Sequence, residues 1–177
     1  MTWMDQVILV DEFDNARGSM DKMEAHQKGI LHRAFSIQLI NSRGELLLQK
    51  RARSKYHSGG LWTNTCCSHQ HPQQPPEQTI QQRLMDEMGI NTPLTFAYKF
   101  IYKTDLDHQL IEYEWDHVYI GYFDGIPVLN REEAEDWKLV RLDQLILDIN
   151  SDPQQYTFWF KLIAQHPMIH EFARQVH

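Results

Sequence analysis

Two short strings carry side chains that could do chemistry. Leu61-Trp62-Thr63-Asn64-Thr65-Cys66-Cys67-Ser68-His69-Gln70-His71 holds both cysteines of the chain and two of its ten histidines. Further on, Glu112 and Glu114 flank Tyr113. The first string reads as a short strand, because Leu, Trp, Thr and Cys suit a pleated surface. Alternation puts Thr65, Cys67 and His69 on one face and Cys66 and Ser68 on the other. A thiol beside an imidazole suits proton transfer or metal binding. A buried cysteine that only packs is the competing reading. On a strand over residues 110–123, Glu112 and Glu114 point to one face and Asp116 continues their row. Two such carboxylates repel unless a cation or a shared proton sits between them. The bland alternative is the exposed face of an edge strand.

The elements that must position these groups follow from local pattern. Residues 7–10 form a short apolar strand and 14–19 a turn. A helix over 21–27 ends at Gly29 and carries Lys22 and His26 on one face. Strands over 32–41 and 45–51 make a hairpin around the turn at 41–44. Residues 50–55 are the one dense basic cluster, and a solvated loop is its bland reading. Ser58-Gly59-Gly60 is a flexible lead into the cysteine string, and the proline-rich 71–76 is a loop. A helix starts near Pro76 and stops at Gly89, with Ile80, Leu84 and Met88 as its apolar stripe. Arg83 and Glu87 share a polar stripe, where an exposed ion pair would contribute less than about 1 kcal/mol. A strand over 94–102, a turn at 105–108, a solvated acidic run at 131–136 and a strand over 137–141 follow. Helices over 142–150, 154–165 and 168–176 close the chain. This order predicts an α+β fold, in α/β/α layers around a mixed sheet.

Composition narrows the function classes. The 177 residues suit one domain with a single good core. A formal net charge of −7 argues against nucleic-acid binding through overall positive charge, so an anionic ligand needs a local basic cluster or a metal. Adjacent cysteines sit too close for an ordinary disulfide, so both thiols are expected free and the compartment reducing. The first 13 residues carry Asp5, Asp11 and Glu12 and do not read as a signal peptide. No apolar run reaches membrane-spanning length. A cytoplasmic protein without membrane or nucleic-acid partners is expected.

Taken together, Trp62-Thr63-Asn64-Thr65-Cys66-Cys67-Ser68-His69, the helix Arg83-Leu84-Met85-Asp86-Glu87-Met88-Gly89-Ile90 and Glu112-Tyr113-Glu114 resemble type I isopentenyl-diphosphate isomerase. The resemblance runs from His26 to about Trp159. It implies a Nudix-like mixed sheet flanked by helices, with further helices at the C-terminus. The Nudix pattern Gly-x5-Glu-x7-Arg-Glu-x-x-Glu-Glu-x-Gly is degenerate here. Ser68, Gln74, Gln82 and Arg83 replace its Gly, Glu, Arg and Glu, while Asp86-Glu87 and Gly89 stand. Such losses count against pyrophosphate hydrolysis, one rival function. The other rival is a zinc-stabilised binding module.

The resemblance further implies a site. His26, His32, His69, Glu112 and Glu114 would bind a divalent metal, manganese or zinc. The cysteine register selects His69, and the following proline selects His71. Glu87, with the Cys67 carbonyl, would hold a magnesium ion that meets the diphosphate. Lys22, Arg51, Lys55 and Arg83 would bind that diphosphate, with Arg83 and Glu87 both aimed at the ligand instead of at each other. Cys67 and Glu114, the latter beside Tyr102, would be the two acid–base groups, in either direction of proton transfer. Trp159 would cover the cationic intermediate or else simply fill the core. The partner is a small-molecule diphosphate, and the protein is expected to be a monomer or a weak homodimer.

Overall fold

The computed structural model describes residues 5–176. Among them nine strands form one mixed sheet. The strands are β1 (Gln6–Val10), β2 (Ala16–Asp21), β3 (His32–Ile40), β4 (Glu45–Arg51), β5 (Trp62–Thr63), β6 (Cys66–His69), β7 (Leu94–Asp105), β8 (Ile111–Tyr122) and β9 (Ala134–Arg141). The helices are α1 (Lys22–Lys28), α2 (Pro76–Met88), α3 (Leu142–Ser151), α4 (Phe158–Gln165) and α5 (Pro167–Arg174). β3 organises the sheet. It runs parallel to β8, with His32 opposite Glu114 and Ile40 opposite Tyr122. It pairs antiparallel with β6 over Ala34–Ile37 and with β4 at Leu39 and Ile40. β8 lies between β3 and β7, so the carboxylate row stands on an interior strand and not on an edge.

Alternation along β3 separates two cores. Phe35, Ile37 and Leu39 pack with Ile80, Leu84 and Met88 of α2. On the opposite face, Val118 and Tyr102 pack with Leu145 of α3, Phe160 and Ile163 of α4 and Phe172 of α5. Each such fully buried side chain contributes about 1.5–3 kcal/mol. The layers are therefore α/β/α, as the sequence pattern implies.

Helix boundaries follow their caps. Asp21 accepts the Glu24 N–H at 2.9 Å to start α1, and Gly29 ends it at φ 62°. Pro76 opens α2, and Gly89 closes it at φ 64°. A Cβ at Gly89 would lie 2.8 Å from the Val128 carbonyl oxygen, so the close approach also demands glycine.

Three local expectations change. Residues 14–19 are not all turn, since β2 begins at Ala16 and pairs with β1. Most of β2 is exposed and lacks apolar alternation, and the Asp11 carboxylate ties the turn by accepting the Phe13 and Asn15 N–H groups. The cysteine string is two strands, β5 on β4 and β6 on β3. Between them Asn64 and Thr65 satisfy the splayed backbones. Thr65 Oγ1 donates to the Leu47 carbonyl at 2.6 Å and accepts the Leu39 N–H at 2.9 Å. Asn64 Nδ2 donates to the Cys66 carbonyl at 2.7 Å. Finally, the helix expected over 154–165 begins only at Phe158. The preceding backbone is pinned to β5, with the Thr157 N–H donating to the Trp62 carbonyl at 3.0 Å.

Candidate active site

The two-residue periods of β3, β6 and β8 bring Cys67, His69, Glu112 and Glu114 to one pocket of about 340 Å³. Its floor is the short pair Ala34 and Ser36 of β3. Cys67 and His69 project from β6 on one side, and Glu112 and Glu114 from β8 on the other. Register fixes this layout, because Cys67 pairs with Ser36, His69 with Ala34, and His32 with Glu114. β6 and β8 thus lie two strand spacings apart, about 9–10 Å.

One end is a cluster of donors. His26, His32, His69 and Glu114 each offer an atom, all within 4.8 Å of one another. The Nδ1 atoms of His26 and His32 face the carbonyls of Lys22 and Ile30 at 2.7 Å each. Each Nδ1–H therefore donates to backbone, and each Nε2 lone pair is left for the cluster. Both Nε2 atoms are buried without a hydrogen-bond partner. His69 Nε2 lies 2.9 Å and His32 Nε2 3.3 Å from Glu114 Oε1. Three imidazoles and a carboxylate in this arrangement suit a divalent metal ion. β6 ends at His69, so His71 leaves the strand and stands at the pocket edge, outside the cluster. Glu112, Cys67 and Glu87, expected among the metal ligands, also lie outside these four.

Tyr102 connects the two glutamates. Its hydroxyl oxygen lies 2.6 Å from Glu112 Oε1 and 2.8 Å from Glu114 Oε2. Burial and the adjacent Glu114 push the Glu112 carboxyl up. Burial would also raise Glu114, but the adjacent imidazoles of His32 and His69 outweigh it and hold that carboxyl down. The two neighbouring carboxyls are thereby pushed in opposite directions, Glu112 up and Glu114 down. Across the floor, burial pushes the Cys67 thiol up to about 12 despite a nearby guanidinium. Arg51 Nη1 donates to Cys67 Sγ at 3.7 Å, and the same guanidinium lies 5.4 Å from the Trp159 ring centroid. Trp159 serves the core and the pocket at once. It packs in the core beside α3 and α5, and it lines the pocket, fixed by its Nε1–H donating to Asn64 Oδ1 at 3.1 Å.

The other end is cationic. Lys22, Lys55 and Arg83 all line it. Arg83 and Glu87 both line the pocket, yet they face each other. Arg83 pairs with Glu87 and lies 3.3 Å from Glu133, while its Nε donates to Ser68 Oγ at 3.2 Å. The other Glu87 oxygen accepts from Gln49 Nε2 at 3.0 Å and from the Cys66 thiol at 3.4 Å. The ion pair is therefore largely buried and faces the pocket at the same time.

Sequence reasoning passed over three residues of the pocket wall. Glu133 falls in the run read as solvated, yet it pairs with Lys55 and Arg83. Tyr56 and His57 fall between the basic cluster over 50–55 and the flexible lead Ser58-Gly59-Gly60, at two positions neither reading covers. The His57 side of that loop is buried, with His57 only 4% exposed. An aromatic pair beside a basic cluster was the available signal for Tyr56 and His57; Glu133 had none short of tertiary structure.

The NUDIX domain family matches residues 30–160. An Isopentenyl-diphosphate Delta-isomerase 2 of Aromatoleum aromaticum is 52% identical over 155 residues, 88% of this chain and 82% of that protein. Its namesake in Photorhabdus laumondii is 51% identical, over 90% of this chain and 91% of that one. Among solved structures, a Deinococcus radiodurans protein superposes with a TM-score of 0.70 at 15% identity, over 97% of this chain and 99% of that one. The MutT protein of Methanosarcina mazei gives 0.63 at 16% identity, over 82% and 94%. These two speak for the fold alone. Among the described residues no helix is long and apolar enough to cross a membrane. With the parallel β3–β8 pair, the His/Glu cluster and relatives identical at half their positions, the chain belongs to the isopentenyl-diphosphate Delta-isomerase family of NUDIX-domain proteins.

Proposed function

We propose that this chain interconverts isopentenyl and dimethylallyl diphosphate. The observation that carries it is the placement of two proton-bearing groups on opposite sides of a narrow floor. The Cys67 thiol stands on β6 and the Tyr102–Glu114 pair on β7 and β8, with only Ala34 and Ser36 between. The reaction adds a proton to the terminal methylene, leaving a tertiary cation, and removes a different proton from the neighbouring carbon. One group gives, the other takes, and the reverse reaction exchanges their roles. An alkene is a very poor base, so water must be kept out. Trp159 supplies a buried π face against the cation.

The handle is the diphosphate. Lys22, Lys55 and Arg83 form its rim, and Arg51 reaches from the rim towards Cys67. Manganese or zinc held by His26, His32, His69 and Glu114, with Glu112 beside them, would fix the Glu114 carboxylate and supply positive charge. Glu87, together with the Cys67 carbonyl, would hold magnesium for the diphosphate. We take residues 1–177 as one domain, acting in the cytoplasm as a monomer or weak homodimer.

Proton NMR of isopentenyl diphosphate in heavy water with magnesium tests the assignment. The wild type is expected to give deuterated dimethylallyl diphosphate and Cys67→Ser to give none. Release of inorganic phosphate with no isomer would favour a hydrolase instead.

A further inference from the structure

The loop between β4 and β5 has no regular secondary structure, yet its centre is buried. His57 is 4% and Ser58 7% exposed. One contact on it comes from a distant hairpin. Asp107, in the turn between β7 and β8, accepts the Ser58 backbone N–H on its Oδ2 at 3.0 Å. That hairpin also carries Tyr102, Glu112 and Glu114. The junction is held in an uncommon backbone geometry. Ser58, His108 and Gln109 sit at φ 53°, 60° and 60°, and a left-handed non-glycine residue costs about 1 kcal/mol or more. Such conformations persist only where the surroundings over-determine them. A Cβ at Gly59 would lie 2.6 Å from the Arg53 carbonyl oxygen, so the turn is also close-packed.

This geometry aims one ring. The His57 ring stands edge-on to Trp159 with centroids 5.9 Å apart, and 5.8 Å from the ring of His26. It therefore bridges the aromatic that covers the cation and the donor cluster. Arg51 Nη2 donates to the His57 carbonyl at 3.1 Å and steadies the same segment from inside. We propose that Asp107 is a positioning residue, whose grip on Ser58 holds the His57 ring against Trp159 as part of the wall that keeps water from the reacting carbons. The catalytic part of this rests on the isomerase assignment above. Lys55 belongs to the same loop but is tied down separately, through its ion pair with Glu133 and the Ala52 N–H donating to the Glu133 carbonyl at 2.9 Å. Of the rest of the handle, only Arg51, through the His57 carbonyl, and Lys22, over the Tyr56 ring, meet this loop among the described residues, so the latch should bear on turnover more than on diphosphate binding.

Asp107 is exposed, so its substitution should leave the fold intact. In Asp107→Ala, kcat should fall about tenfold, as expected for a catalytic wall moved by a fraction of an ångström. Inhibition by inorganic pyrophosphate should stay within about twofold. Asp107→Asn keeps an acceptor oxygen and should recover most of the rate. Amide hydrogen exchange at residues 56–60 should quicken about tenfold in the alanine variant and far less in the asparagine variant. Unchanged exchange in Asp107→Ala overturns the latch, and wild-type kcat overturns its catalytic role. Pyrophosphate binding weakened as much as kcat overturns the separation of wall from handle. Should the wild type prove inert towards isopentenyl diphosphate, that failure belongs to the isomerase assignment, and exchange alone still decides the latch.

Discussion

The two ends of the pocket handle charge in opposite ways. At the rim, Lys55 and Arg83 are partly open to solvent and pair with Glu133. At the floor, His26, His32, Glu112 and Glu114 are buried, and their protons are fixed by backbone carbonyls and by Tyr102. The pairs with Glu133 at the rim are exchangeable, because an incoming dianion can replace that partly exposed glutamate at little cost. Groups at the floor cannot exchange partners without leaving a buried polar atom unpaired. A substrate with one charged end and one apolar, reactive end fits that division. It also predicts that rim substitutions change binding and floor substitutions change rate.

The sharpest break uses the two cysteines. Cys67 faces the pocket, whereas Cys66 packs against α2 and donates to Glu87. Replacing Cys67 with serine should cut kcat by about 10²–10⁴-fold, with pyrophosphate inhibition nearly unchanged. Cys66→Ala should cost only a few-fold in rate and about 1–2 kcal/mol in stability, read from denaturant unfolding. Equal loss of rate in both would mean that alternation on β6 does not separate chemistry from packing. Next in size is Arg83→Ala. It removes a charge-assisted contact, so KM should rise about tenfold while kcat moves less. A fall in kcat alone would place Arg83 with the floor.

Much of this was legible in the chain because strand periodicity is strict. Once Cys67, His69, Glu112 and Glu114 are assigned to strands, their faces follow, and β3, β6 and β8 turn those faces into one pocket. The helix α2 announced itself by Pro76, Gly89 and an apolar stripe. What was not legible depends on contacts distant in sequence. The Trp159 turn starts late because β5 captures the backbone at Thr157. Glu133 sits in an acidic run that reads as solvated, but the run enters β9 at the buried Ala134, and Glu133 itself meets Lys55 and Arg83. The loop carrying His57 lacks any periodic signal, and its packing rests on residues distant in sequence, Asp107 and Trp159 among them.

The smallest effect sharpens the comparison most. Burial would raise the Glu133 carboxyl, but Lys55 and Arg83 hold it below its usual range. Because the folded state lowers this group, its contribution to stability is present above its unfolded value of about 4.3 and is lost as pH falls through the folded value. Glu133 is partly solvated, so screening keeps that contribution under about 1 kcal/mol. Glu133→Gln should therefore lower the unfolding midpoint slightly at neutral pH, and the difference from wild type should vanish in acid. The same substitution removes the carboxylate that competes with a diphosphate for two cations. Pyrophosphate should then bind about two- to fivefold more tightly, with kcat unchanged. Weaker binding would mean that Glu133 is needed to hold Lys55 and Arg83 in place, and that the rim is as locked as the floor.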